Sequence, residues 1–164
     1  MTGHEQQACV LGTCLDDLVR STEYSLSARG LMHLEGRVML ALGAHDRLWR
    51  LPGGRVRRAE TPGDAVRRSI RSLTGLSVRV GDFIGLVHNS CDHLLELTFE
   101  VRPVEGCEVC LDEERILHAL WFRSDGLPVN VCEGCRNTIA AFMEGRPMPF
   151  LLTHRGGDGP VWHS

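Results

Sequence analysis

Apolar residues change their spacing several times along the chain, and each change marks a new element. Between Ser25 and Leu42 the pattern passes from Leu31 and His33 to the run Val38-Met39-Leu40-Ala41-Leu42 around Glu35-Gly36-Arg37, which predicts a hairpin turned at the glycine. Ala44-His45-Asp46-Arg47 reads as a further turn leading into a strand at Trp49, and Pro52-Gly53-Gly54 breaks that strand. From Thr61 the spacing becomes helical. Ala65, Val66, Ile70 and Leu73 share one broad face, with Arg67, Arg68 and Arg71 mostly elsewhere. Thr61 is placed to cap this helix, Pro62 suits its first turn, Asp64 suits the positive end of its dipole, and Gly75 stops it. Strands are expected over residues 78–87, 94–101 and 116–122, and a last helix from about Cys132 to Met143, ending at Gly145. A short helix near Leu15 to Val19 and a mobile tail around Gly156-Gly157 complete the pattern.

This order predicts an α+β fold with a mixed sheet. With 164 residues, 43% of them apolar, the chain fits one core and leaves little for a second. The expected division is an extension over residues 1–24, a domain over 25–146 and a tail over 147–164. No apolar run approaches the roughly 18–20 residues of a membrane span, and the first residues lack a secretion signal, so a cytoplasmic protein without a membrane partner is expected.

The net charge of −3 conceals an asymmetry: residues 47–79 hold nine Arg against Glu60 and Asp64 and so carry +7, leaving −10 elsewhere. Every one of the 18 basic residues is Arg, which also fits a GC-rich genome. Concentrated guanidinium charge suits a phosphorylated or otherwise anionic small molecule. Nucleic acid is not expected, because the chain as a whole is mildly acidic and lacks interleaved aromatics. Oligomeric state stays open, a homodimer included.

The stretch Trp49-Arg50-Leu51-Pro52-Gly53-Gly54, with Glu60, Arg68 and Gly75-Leu76 in register, resembles the Nudix box, and the resemblance extends from about Ser25 to Arg146. It implies a Nudix-type α/β/α sandwich. The second half of the family pattern places glutamates at positions 69, 72 and 73, which a helix gathers on one face. Converging carboxylates hold Mg²⁺ or Mn²⁺, which bridges a diphosphate and helps generate the attacking hydroxide. Here those positions are Ser69, Ser72 and Leu73, and Arg67, Arg68 and Arg71 stand nearby to repel a cation.

The expectation is therefore a pocket that binds an anionic ligand through Arg50 and Arg68 without standard Mg²⁺-dependent hydrolysis, as a binding module or an unusual biosynthetic enzyme. The alternative is an active hydrolase of a nucleoside diphosphate linked to another moiety, with Mg²⁺ or Mn²⁺ on Glu60, Glu96 or Glu100 and with Glu113-Glu114 in reserve. A protein–protein adaptor is the third class. The resemblance makes Arg68 the residue that orients a glutamate missing here, free to pair instead with Asp64. Glu60 is either a metal ligand or loop structure, and Glu96 and Glu100, sharing strand parity, also read as a solvated face.

Seven cysteines form no even set, but Cys107-Glu108-Val109-Cys110 and Cys132-Glu133-Gly134-Cys135 are two C-x-x-C pairs with the separation of a structural four-thiolate zinc site. An iron–sulfur cluster, free thiols or a redox pair are the other readings, the last opposed by the acidic neighbours Glu105, Glu108, Asp112 and Glu133. Cys91, within His88-Asn89-Ser90-Cys91-Asp92-His93, is a nucleophile or second metal ligand on one reading and part of a polar loop on the other. Cys9 and Cys14 suggest no role.

Overall fold

The computed structural model describes residues 24–106, 108–146, 148–155 and 158–163. The expected helix near Leu15, and Cys9 and Cys14, lie outside the described residues. Nine strands and two helices follow one another among those described: β1 Ser25–Leu34, β2 Arg37–Gly43, β3 Trp49–Arg50, β4 Gly53–Arg55, α1 Pro62–Thr74, β5 Val78–Asn89, β6 Leu94–Pro103, β7 Ile116–Arg123, α2 Glu133–Met143, β8 Phe150–Arg155 and β9 Asp158–His163.

β1 is the axis of the fold because it belongs to two pairings at once. Its first eight residues lie parallel to β6, from Ser25 opposite Leu94 to Met32 opposite Val101, while its last two, His33 and Leu34, turn over into β2. The strand order β3-β2-β1-β6-β5-β8-β9, with β4 also on β1 and β7 on β2, makes the sheet mixed. This agrees with the expected α+β sandwich.

Alternation along β1 sends successive side chains to opposite faces. Ala28 and Met32 join Val66 and Ile70 of α1 in one core cluster, while Leu31 joins Leu51, Ile84, Ile139 and Cys135 under α2 in another. Gly30 lets α1 settle on the sheet, because a Cβ there would come within 2.7 Å of Ile70 Cδ1 and 2.9 Å of Val101 Cγ2. Arg29, on the α2 side of the same strand, is thereby directed into the protein.

α1 begins and ends where its sequence says it should. Thr61 is the N-cap and its hydroxyl accepts from the Asp64 N–H at 3.2 Å, Pro62 is the first helical residue, and Gly75 closes the helix in the left-handed region at φ 74°. The last residues depart from expectation. Instead of a tail, residues 150–155 and 158–163 form a hairpin whose first strand lies parallel to β5, from Gly85 opposite Phe150 to Asn89 opposite His154. Among the described residues no helix is long and apolar enough to cross a membrane.

Candidate ligand pocket beside an altered box

The loop between β4 and α1 is tied down by one acidic residue. Glu60 receives Arg68 through two bonds, Nε to Oε1 at 2.6 Å and Nη2 to Oε2 at 2.9 Å, and its Oε2 also accepts from the Arg57 N–H at 2.9 Å. Arg68 extends the clamp by donating to the Arg55 carbonyl at 2.9 Å. The Arg68 bond, helped by the Arg57 amide, holds the Glu60 carboxyl down to about 2. Arg68 thus pairs with Glu60 and not with Asp64, which is taken by Arg67. Both oxygens of Glu60 accept hydrogen bonds in this bracing.

The three positions behind it are differently employed. Ser69 is 1% exposed, its Oγ has no hydrogen-bond partner, and a Cβ on Gly54 would come within 2.6 Å of that oxygen. Ser72 accepts from Arg115 Nη1 at 3.1 Å. Leu73 is buried with Ala41 and Ile116. None of the three presents a charged oxygen to a common point.

Beside this segment lies a cavity of about 320 Å³, bounded by Pro52 and Gly53 at one end of the box and Leu73 at the other. Arg29, Arg50 and Arg115 bring their side chains to its wall, with Gly43 and His45 beside them. Arg50 is ion-paired with Asp46, four residues earlier, whose pKa that bond lowers. A Cβ on Gly43 would collide with Asp46 Oδ1 at 2.5 Å, so the glycine makes room for the pair. Arg29 is set deeper. Its Nε lies 2.6 Å from Glu96 Oε2 and its Nη1 donates to the Leu51 carbonyl at 3.1 Å. Burial opposes the Arg29 charge, but Glu96, by its charge and its hydrogen bond, together with the nearby Cys135 and Cys132, more than offsets this and holds the guanidinium pKa up. Glu96, 8% exposed, is therefore no part of a solvated face. Glu100 is half-buried near the far end of β6 and accepts from Arg102 Nη2 at 3.4 Å.

Residues 27–142 match the NUDIX domain family. The chain belongs to the Nudix family. A MutT-like protein of Streptomyces ambofaciens is 29% identical over 134 residues, which cover 81% of this chain and 85% of that protein. Among solved structures, a MutT NUDIX hydrolase of Burkholderia pseudomallei superposes with a TM-score of 0.66 at 21% identity, covering 72% of this chain and 97% of that one. An ADP-ribose pyrophosphatase of Streptococcus suis gives 0.65 at 20%, covering 80% and 98%.

Against the Nudix pattern the donor set of this box does not fit a divalent cation. Hard cations need several oxygens, mostly charged. Here the box supplies one buried hydroxyl, one hydroxyl facing Arg115, a leucine, and a Glu60 already clamped by Arg68.

The cysteines give the expected zinc site no support. Cys107 lies outside the described residues, and among those described no three His, Cys, Asp or Glu side chains are grouped to hold a metal. The two pairs have different neighbours. Cys110 is exposed and its N–H bonds the Thr74 carbonyl at the end of α1, whereas Cys135 is fully buried and its Sγ accepts from the Leu51 N–H at 3.4 Å. Cys132 and Cys135 are close enough to interact: the neighbouring Cys135 thiol brings Cys132 down to about 7, and the same contact with burial drives Cys135 upward.

The His88–His93 loop takes its ordinary form. Asn89 Oδ1 accepts from the N–H groups of Cys91 and Asp92, His88 Nε2 lies 2.8 Å from the Tyr24 hydroxyl, and Cys91 is exposed. Glu113 and Glu114 are exposed ahead of β7. Sequence reasoning missed Arg29, Asp46 and Arg115. Arg29 carried a signal, a charged residue inside the apolar strand Leu26–Met32, and Arg115 carried none.

Proposed function

We propose that this Nudix-family chain receives a small molecule containing a diphosphate, of the class of a nucleoside diphosphate joined to another group, in the arginine-walled cavity. The observation that carries this reading is placement: both halves of the box border the same 320 Å³ space, and Arg29, Arg50 and Arg115 converge on it. Arg29 and Arg50, each anchored by a carboxylate, are held in position, so little side-chain freedom is lost when an anion arrives.

The fate of a bound diphosphate divides into two readings. The family and the names of its solved relatives, a NUDIX hydrolase and an ADP-ribose pyrophosphatase, favour an active hydrolase over a bare binding module, reversing the weighting drawn from the sequence. The box residues favour binding without the usual cation. A hydrolase on this chain requires carboxylates other than those at positions 69, 72 and 73, and Glu60 and Glu96 are each already paired with an arginine. An adaptor role has less behind it, since of the exposed large apolar residues described only Met143 lies on α2.

One experiment separates these readings. The purified chain is incubated with ADP-ribose, nucleotide sugars and nucleoside triphosphates, with Mg²⁺, Mn²⁺ or EDTA, and monitored by product release and thermal shift. Metal-dependent release of nucleoside monophosphate supports the hydrolase. A thermal shift that persists in EDTA without turnover, and is lost in Arg50→Ala, supports the binding module. No response to any compound would sink both.

A further inference from the structure

Behind the wall of the cavity, the segment 49–51 is held by the start of α2 at two points. The Cys132 N–H donates to the Trp49 carbonyl at 2.9 Å, and the Leu51 N–H donates to Cys135 Sγ at 3.4 Å. Cys132 is the N-cap of α2, with no side-chain cap bond, and Cys135 follows one turn later. The C-x-x-C spacing at a helix start brings both sulfurs to one side of the first turn. Their exposures differ: Cys132 is partly open, whereas Cys135 is 0% exposed. The guanidinium of Arg29 lies close enough to feel both thiols, and it is fixed there by Glu96 and the Leu51 carbonyl.

The geometry points to a dithiol site: Cys132 and Cys135 close into an intramolecular disulfide when the protein meets a small-molecule disulfide. Cys132, the less buried of the two, attacks one sulfur of the reagent, forming a mixed disulfide and releasing the first small thiolate. Cys135 then loses its proton and attacks the Cys132 sulfur, releasing the second. The protein gives up two hydrogens, the reagent takes two electrons and becomes two thiols, and no other reactant is required. Cys132 sits at the N-terminus of α2, where the helix dipole favours its thiolate, and a buried second cysteine meets no external competitor. The acidic residues 105, 108 and 112, which the sequence sets against a redox pair, lie on the other C-x-x-C segment. Within the pair itself the spacer residue Glu133 is exposed to solvent, which screens its charge, and Glu96 is paired with Arg29. The inference is independent of whether the cavity binds a diphosphate.

The test uses the full chain, freed of reductant, exposed to excess glutathione disulfide, alkylated and subjected to intact mass measurement and peptide mapping. Exposed Cys91 reports that the reagent has acted. The expected result is a Cys132–Cys135 cross-link that dithiothreitol reverses. In Cys135→Ser the reaction stops with glutathione attached to Cys132, and in Cys132→Ser Cys135 stays unmodified. Full modification of Cys91 with no link between Cys132 and Cys135 overturns the proposal. So does a Cys132 link to another cysteine, or stoichiometric zinc that must be removed before either thiol reacts. The wild-type map decides the matter even if a variant fails to fold.

Discussion

Single residues in this protein are best understood by asking what each carboxylate neutralises. Glu96 sits beside Arg29 in a space that would otherwise hold an unpaired cation, and removing one partner of such a buried pair costs about 3–5 kcal/mol. Glu96→Leu is therefore expected to lower the unfolding free energy in urea by that order, with Arg29→Met combined with Glu96→Leu recovering most of it. Equal losses in the single and double variants would count against the pairing. Glu60 gives a pH-dependent counterpart. Its carboxyl falls from 4.5 to about 2 through Arg68 and the Arg57 amide, so its contribution is fully present above about 4.5 and disappears as pH drops through about 2. The difference in melting temperature between wild type and Glu60→Gln should thus be constant near neutral pH and shrink in acid. A difference that persists at the acid end would mean that Glu60 acts by something other than its charge.

Among the elements, α1 was the most legible, because Thr61, Pro62, Asp64 and Gly75 each solve a local problem that does not depend on the rest of the fold. Thr61→Ala removes the acceptor for the Asp64 N–H and should cost about 1 kcal/mol in chemical denaturation, while Thr61→Ser should cost little. The strands were placed to within a few residues by their periodicity. What escaped the sequence depended on distant partners. Arg68 and Asp64 are one turn apart and look paired, yet Glu60 captures Arg68 because the loop folds back over the helix. The alternation of β6 put Glu96 and Thr98 on one face, but it did not say that both are buried there. The C-x-x-C pairs had a familiar spacing, and spacing did not say that Cys135 is buried in the core under α2 while Cys110 stays exposed.

At the scale of the whole molecule, β8 and β9 change what the domain's edge is. β8 covers β5 from Gly85 to Asn89 and brings buried Leu151 and Leu152 against it. The sequence did not reveal this, since parallel pairing joins segments some sixty residues apart and leaves no local signature. A chain ending at Met148 would expose the β5 edge and an apolar strip. It is expected to elute from size exclusion as larger species, whereas the full chain keeps one symmetric peak. The pocket was legible only as a concentration of arginine: residues 47–79 announced an anion, but Arg29 and Arg115 arrive from β1 and from the turn before β7. The packing of Ser69 and Leu73 decides which carboxylates the box could take. Ser72 is exposed and would admit an acidic replacement freely, whereas Ser69 is pressed against Gly54 and Leu73 sits among Ala41 and Ile116. Of the three glutamates that would restore the family pattern, those at 69 and 73 must therefore first dislodge settled neighbours, whereas one at 72 need displace nothing.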